Sequence, residues 1–350
     1  MSKALKWLAF LWKRIKYFLY STRFFWKRVG FSLITMVLVI IFGFFLIKMM
    51  PGNPVDTYAK SLMESRRIPY ADAYRLATSL LNYDPNESVW SQFSRYVSGI
   101  FQGNFGTSMY RDDVNVTTVI RDFLPWTLFI SAFALLISFI LGVLMGADLA
   151  WRRSGWKDFL ANTFIVVSGA IPDYLWGMIL IFVFGITFKW FPIQGNYDIL
   201  LEIDGWPFII NVLYHAFLPI LAFSIVQIGN WALAMRGSSI GVLGEDYIMA
   251  GKARGVSERH LEKRYLRKNA MLPLVTSLGL SFAGLFGGSS LMESIFNYPG
   301  FGNEFAVAIG SRDYFLIEGM MVFMSFILIL TNLLVDSIYS LIDPRIRRDA

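Results

Sequence analysis

From Pro125 to Ala147 the chain runs for twenty-three residues without a charged side chain, and from Val29 to Ile47 for nineteen. As a helix rising 1.5 Å per residue, the shorter run reaches about 28 Å, which roughly matches the ~30 Å hydrocarbon core of a bilayer. Composition points the same way: 55% of residues are hydrophobic, only 16% are charged and the mean hydropathy is +0.51. An average soluble domain carries about 25% charged residues. The chain is read as an all-α integral membrane protein.

Six transmembrane helices are expected. The first is 29–47. A cleavable signal peptide is the competing reading, but no A-x-A-like site follows the run; Met49-Met-Pro-Gly52 does not resemble one. The second is Pro125–Ala147, with Pro125 placed where a helix start tolerates proline. The thirty residues from Phe159 to Phe188 are divided by Pro172. They read as a shallow helix to about Gly169, a break at Ile171-Pro172 and a third crossing from Asp173 to Phe188. The fourth runs from about Ile209 to Leu233, the fifth from Met271 to Leu291 and the sixth from Phe315 to Leu341. Six crossings put both termini on one side. Of the 32 Lys and Arg, twenty-two lie before residue 29, in 148–158, in 234–270 and after 342. The other side holds ten, seven of them between Pro51 and Leu124. Positive charge stays inside, so both termini and the loop 234–270 are expected to be cytoplasmic. The expected organisation is then an N-terminal segment 1–28, the helix 29–47, an extracytoplasmic segment 51–124, a five-helix core 125–342 and a cytoplasmic tail 343–350.

The first 28 residues hold eight basic and no acidic side chains, interleaved with Trp7, Phe10, Trp12, Phe18, Phe24, Phe25 and Trp26. They read as an interfacial helix on anionic lipid, or as a topology signal with no further role. The segment 51–124 is balanced, with seven basic and eight acidic residues, and Ala71–Leu81 has a helical apolar pattern. A small ordered cap within reach of a soluble partner is expected there.

Several chemistries are absent. There are no cysteines, and His215 and His260 fall on opposite sides of the membrane in this topology, so no metal site of the chain's own is expected. The net charge of +7 is concentrated at the ends of apolar spans, which is not a nucleic-acid footprint. No G-x-x-x-x-G-K-[ST] loop occurs, and Gly287-Gly-Ser-Ser290 lies in an apolar span with no Lys after it. Serines and acids are scattered without a nearby base, so neither catalysis nor a bound cofactor is expected. If transport is active, its energy must enter from another subunit.

The loop built to receive it is Gly244-Glu-Asp-Tyr-Ile-Met-Ala-Gly-Lys-Ala-Arg-Gly255. Glu245 and Asp246 start a helix, Lys252 and Arg254 end it, and Gly255 can adopt the left-handed stop, all of which suits the macrodipole. Tyr247, Ala250, Gly251 and Arg254 share one face, with Ala253 beside them. Small residues there would let a partner approach the backbone, with an aromatic anchor and a cation to fix register. An ordinary solvated helix is the alternative. Ser257 would cap a second short helix, Glu258–Lys268, leading to Pro273.

This loop resembles the cytoplasmic signature loop of permease subunits of ABC importers, in the form found in the dipeptide and oligopeptide branch. Ala250, Gly251 and Gly255 match its small-residue core, and Met249 stands where the wider family often has Glu. The likeness extends from Arg95 to Arg347 through Gly103-Asn-Phe-Gly106, Leu124-Pro125, Glu293-Ser-Ile-Phe-Asn-Tyr-Pro-Gly-Phe-Gly302, Arg312-Asp-Tyr314, Asn332-Leu-Leu-Val-Asp336 and Asp343-Pro-Arg-Ile-Arg347. The resemblance implies the type I ABC importer permease fold in the cytoplasmic (inner) membrane. It implies a homologous second permease, two ABC ATPase subunits that hold ATP and Mg, and an extracellular solute-binding protein. Its substrates would be small peptides, with oligosaccharides or nickel chelates as alternatives in the same branch; the 17% aromatic content with eleven Trp would also suit sugar stacking. A channel or secondary carrier working without ATP is the reading outside this class.

Three further places are candidates. Asp173 with Tyr174, at the start of the third crossing, would line the path or cap the helix break. By the resemblance, Glu293 and the turn 297–302 lie near the outer gate, where Phe296, Tyr298 and Phe301 would plug the mouth; an interfacial aromatic belt is the other reading. Asp336, in the sixth crossing, is expected to pair with a basic residue of the coupling region.

Overall fold

The structure, a computed structural model, describes residues 23–49, 53–81, 87–109, 111, 114–152, 155–198, 204–285 and 290–342. Among these the fold is helical, with one isolated bridge between Thr107 and Asn115. Helix α1 (Arg23–Lys48) carries the first apolar run. Asn53 opens α2 (Pro54–Arg66) by accepting the Val55 N–H at 3.0 Å, and Arg67 closes it in the left-handed region. α3 (Tyr70–Leu81) packs back on α2, with Val55, Tyr58, Ala59, Leu62, Ala73 and Ala77 buried. Ser88 starts α4 (Val89–Phe101), its hydroxyl accepting the Ser91 N–H at 3.2 Å. The expected helical pattern at 71–81 is thus α3, and the described residues from 53 to 101 are largely helical.

α5 (Val116–Trp151) begins earlier than the uncharged run that announced it. Its start is fixed by the Thr107–Asn115 bridge, beside which the Val116 N–H donates to the Gly106 carbonyl at 3.1 Å. Pro125 therefore sits inside the helix rather than at its start, and the segment that precedes this span ends near residue 115. Proline there forfeits one intrahelical hydrogen bond, a loss that membrane helices tolerate.

α6 (Trp156–Ala170) and α7 (Asp173–Leu180), the latter continued by a π-helical stretch Ile181–Thr187, meet at Ile171-Pro172 with a bend of 104°. Pro172 disfavours helical geometry at Ile171, which is extended at ψ 125°. The long α8 (Trp206–Leu243) has Pro207 in its first turn and Pro219 inside it. Then follow α9 (Asp246–Ala253), α10 (Glu258–His260) with a π-helical stretch Leu261–Leu266, α11 (Arg267–Ala270), α12 (Leu272–Gly284), α13 (Ser290–Ile295), α14 (Phe301–Ser311) and α15 (Tyr314–Ile342).

Among the described residues, four helices are long and apolar enough to cross a membrane, at Val29–Leu46, Val116–Trp151, Trp206–Leu243 and Tyr314–Leu333, and the bent pair α6–α7 adds one if it counts as a single span. The expected fifth crossing is seen in part, as the apolar stretch Leu272–Phe282 of α12; residues 286–289 lie outside the described residues. So do residues 1–22 of the basic N-terminal segment, the tail 343–350 and the side chain of Asp336.

The chain divides into two units, residues 1–50 with 321–350 and residues 51–320. In the first, α1 exposes Phe31, Leu33, Leu38 and Phe42, as a lipid-facing helix must. In the second, the main packing is α5 against α8. Gly142-Val-Leu-Met-Gly146 lets the two backbones close: a methyl on Gly146 would lie 2.2 Å from the Ala232 carbonyl oxygen. This is small-xxx-small packing, which membrane helices use because lipid supplies no hydrophobic drive between them. One cluster joins Leu135, Phe139, Val143 and Ala147 to Trp231, Met235, Ala270 and Leu274. Another joins Ile130, Ala134, Leu180 and Leu218 to Met292, Phe296 and Tyr298.

Candidate coupling surface and outer turn

α9 follows α8 after Gly244 and Glu245, which stands at the N-cap position. Asp246 in the first turn and Lys252 in the last are placed as the helix dipole favours. The helix ends in a Schellman motif. Gly255, at φ +75°, donates to the Lys252 carbonyl at 3.0 Å, and Val256 donates to the Gly251 carbonyl at 3.1 Å. Glu245, Asp246, Tyr247, Met249, Ala250, Ala253, Arg254 and Gly255 are exposed, whereas Ile248 and Gly251 are buried. Gly251 thus departs from the expected open face. A methyl there would come within 2.6 Å of Leu261 Cδ2, so its small size admits the next helix of the same loop rather than a partner.

The rest of the loop packs on itself and on the neighbouring helices. Ser257 occupies the N-cap position of α10 but its hydroxyl makes no cap bond, contrary to the capping role expected for it. Leu261, Leu266 and Ala270 are buried, and buried Glu262 accepts from the Arg267 guanidinium. Ser238 of α8 donates to the Ala270 carbonyl at 2.7 Å, and Lys252 lies over the Trp151 ring at 5.6 Å. The contacts run from α9 to the π-helical stretch at Leu261, from α11 to α8 through Ser238, and from Lys252 of α9 to the end of α5 at Trp151. Pro273, in the first turn of α12, stands where proline stiffens a helix start.

Glu293, wholly buried, organises the outer turn. Its carboxylate accepts from Thr127 Oγ1 at 2.7 Å and from the Asn303 N–H at 2.8 Å, while Thr127 Oγ1 in turn accepts the Phe301 N–H at 2.7 Å. The Tyr298 N–H returns to the Glu293 carbonyl at 2.8 Å. Gly300 lies against the carboxylate so closely that a methyl would fall 2.2 Å from Cδ. Phe296, Tyr298 and Phe301 are buried within the subunit, with Tyr298 edge-on to Trp126. Asp173 Oδ1 accepts the Tyr174 N–H at 2.8 Å, which ties the carboxylate to the start of α7.

The family described as binding-protein-dependent transport system inner membrane component matches residues 138–348. That stretch takes in the coupling loop and the outer turn. The chain belongs to this family. A probable peptide ABC transporter permease of Sinorhizobium fredii (strain NBRC 101917 / NGR234) is 34% identical over 92% of this chain and 98% of its own. The glutathione transport system permease protein of Escherichia coli (strain K12) is 32% identical over 92% and 97%. A crystal structure of an amino acid ABC transporter covers 65% of this chain and 94% of its own at 17% identity, with a TM-score of 0.42. The protein is a membrane permease component, and its relatives are transport components rather than enzymes.

The permease also uses residues that the sequence reading passed over. Arg111 makes a two-pronged pair with buried Glu304, Nε to Oε1 at 2.6 Å and Nη2 to Oε2 at 2.8 Å, and stacks over Phe123. Ser108 donates to buried Asp313 at 2.6 Å, and Asp313 caps α15 by accepting the Leu316 N–H at 3.1 Å. The stretch between α4 and α5 is thereby fastened to α14 and α15. Two motifs quoted for the resemblance, 103–106 and 312–314, flank this fastening. Thr127 carried no signal, because a threonine in an apolar run is ordinary until Glu293 is placed beside it.

Proposed function

We propose that this permease forms half of the translocation path of an ATP-driven importer for small peptides, delivered by an extracellular solute-binding protein. It works beside a homologous second permease and two ABC ATPase subunits, which hold the ATP and Mg. Both termini and the coupling loop face the cytoplasm. The observation that carries the substrate is the match, over nearly the whole chain, to relatives named for peptide and glutathione transport. The coupling role is supported by the exposed face of Tyr247, Ala250 and Arg254 on a helix whose buried side packs on Leu261 of the π-helical stretch that follows α10. ATP closure of the ATPase pair moves this helix, and the loop passes the displacement to the spans.

The test is uptake into proteoliposomes by the full complex with ATP inside. Di- to pentapeptides are expected to enter and to stimulate ATP hydrolysis. Uptake of oligosaccharides or nickel chelates with none of peptides would overturn the substrate, and uptake without any ATPase subunit would overturn the mechanism.

A further inference from the structure

Gln227 and Asn230 are exposed amides on α8, within a span of high hydropathy. Neither makes a hydrogen bond among the described residues. Several hydroxyls on the apolar helices behave differently: Ser138 of α5, Ser168 of α6, Ser224 of α8 and Ser277 and Ser281 of α12 each donate to a carbonyl one turn back on their own helix. A hydroxyl meets its need in that way, but an amide with two N–H groups and a carbonyl cannot. An unpaired amide facing hydrocarbon is costly, so polar side chains at this depth turn toward water or toward another polar surface.

Their depth follows from the helix. Gln227 stands nine residues before Arg236, about 13 Å along the axis at 1.5 Å per residue; with the coupling loop on the cytoplasmic side, as proposed above, and Arg236 at the edge of the span, both amides lie in the inner half of the bilayer. Ala234, Gly237 and Gly241 continue the same exposed stripe at helical spacing toward the coupling loop. The other exposed face of the main packing pair has a different character. Along the uncharged part of α5, from Trp126 to Ala147, the exposed residues are Phe133, Leu136, Ile137, Ile140, Leu141 and Leu144, all apolar and suited to lipid.

We propose that Gln227 and Asn230 line the inner, water-filled part of the translocation path, where their amides exchange hydrogen bonds with the backbone of the passing peptide. The small residues below them leave that part wide as it opens toward the cytoplasm. The assignment rests on the peptide-import reading for the identity of the solute, while the water-filled character of the stripe rests on the structure alone.

The chain has no cysteines, so single replacements report cleanly. Gln227→Cys, Asn230→Cys and, as a lipid-facing reference, Leu136→Cys are made in the full complex in inside-out vesicles. A charged methanethiosulfonate reagent, which needs a hydrated thiolate, should modify the first two at least about tenfold faster than the reference. Peptide trapped in the path should slow that reaction. Equal rates at all three positions would overturn the proposal, as would oxidative cross-linking of either thiol to the second permease without modification by the reagent. ATP-driven peptide uptake by the unmodified complex is measured in parallel. Its absence alongside fast labelling would remove the peptide and leave the water-lined stripe, whereas normal uptake with slow labelling would remove the stripe alone.

Discussion

Gly300 has no room for a side chain, because the Glu293 carboxylate fills the place a methyl would take. Gly300→Ala should therefore shift either the turn or the carboxylate, at a cost of about 1–3 kcal/mol typical of overpacking, read as a lower thermal midpoint in detergent. Thr127→Val tests the same site from the other side, since it removes the hydroxyl that serves Glu293 and Phe301 together. Loss of that hydroxyl leaves a buried acceptor and a buried N–H unpaired, so a destabilisation of about 1–3 kcal/mol is expected. An unchanged midpoint in both variants would show that the turn is held elsewhere. The Arg111–Glu304 pair makes a sharper case. Arg111→Ala strands a buried carboxylate, so adding Glu304→Gln should restore part of the lost stability, and strict additivity of the two would contradict the pairing.

At the scale of elements, the spans were legible because twenty-odd uncharged residues have few uses outside a membrane, and the break at Pro172 because proline announces itself. Where α5 begins was not. Its first turns, Val116–Leu124, contain Arg121 and Asp122, and the start is fixed by a bridge between Thr107 and Asn115 that no local pattern reveals. The coupling helix was legible in its charges and in Gly255, whose Schellman stop forms as its sequence suggests. Gly251 was misread, because helical spacing places a residue on a face but does not say what covers that face; Leu261 does. The outer aromatics were legible as a group, yet their burial depends on Glu293, Thr127 and the packing of α5 against α8. A matched pair of variants separates the two faces of α9. Gly251→Phe should disrupt the loop and lower the thermal midpoint of the isolated permease, whereas Ala250→Phe, on the exposed side, should change its stability by no more than about 0.5 kcal/mol and so leave that midpoint nearly unmoved.

For the whole molecule, family membership is carried by the match across residues 138–348. The proposed route runs from α9 to Leu261, on through the π-helical stretch to α11, and from Ala270 of α11 to Ser238 of α8. The most direct measurement is substrate-stimulated ATP hydrolysis by the reconstituted complex carrying Ala250→Phe in this permease. The account predicts a folded, membrane-inserted permease whose complex loses most of the stimulation by peptide-loaded binding protein; full stimulation with that bulky side chain on the exposed face would contradict it.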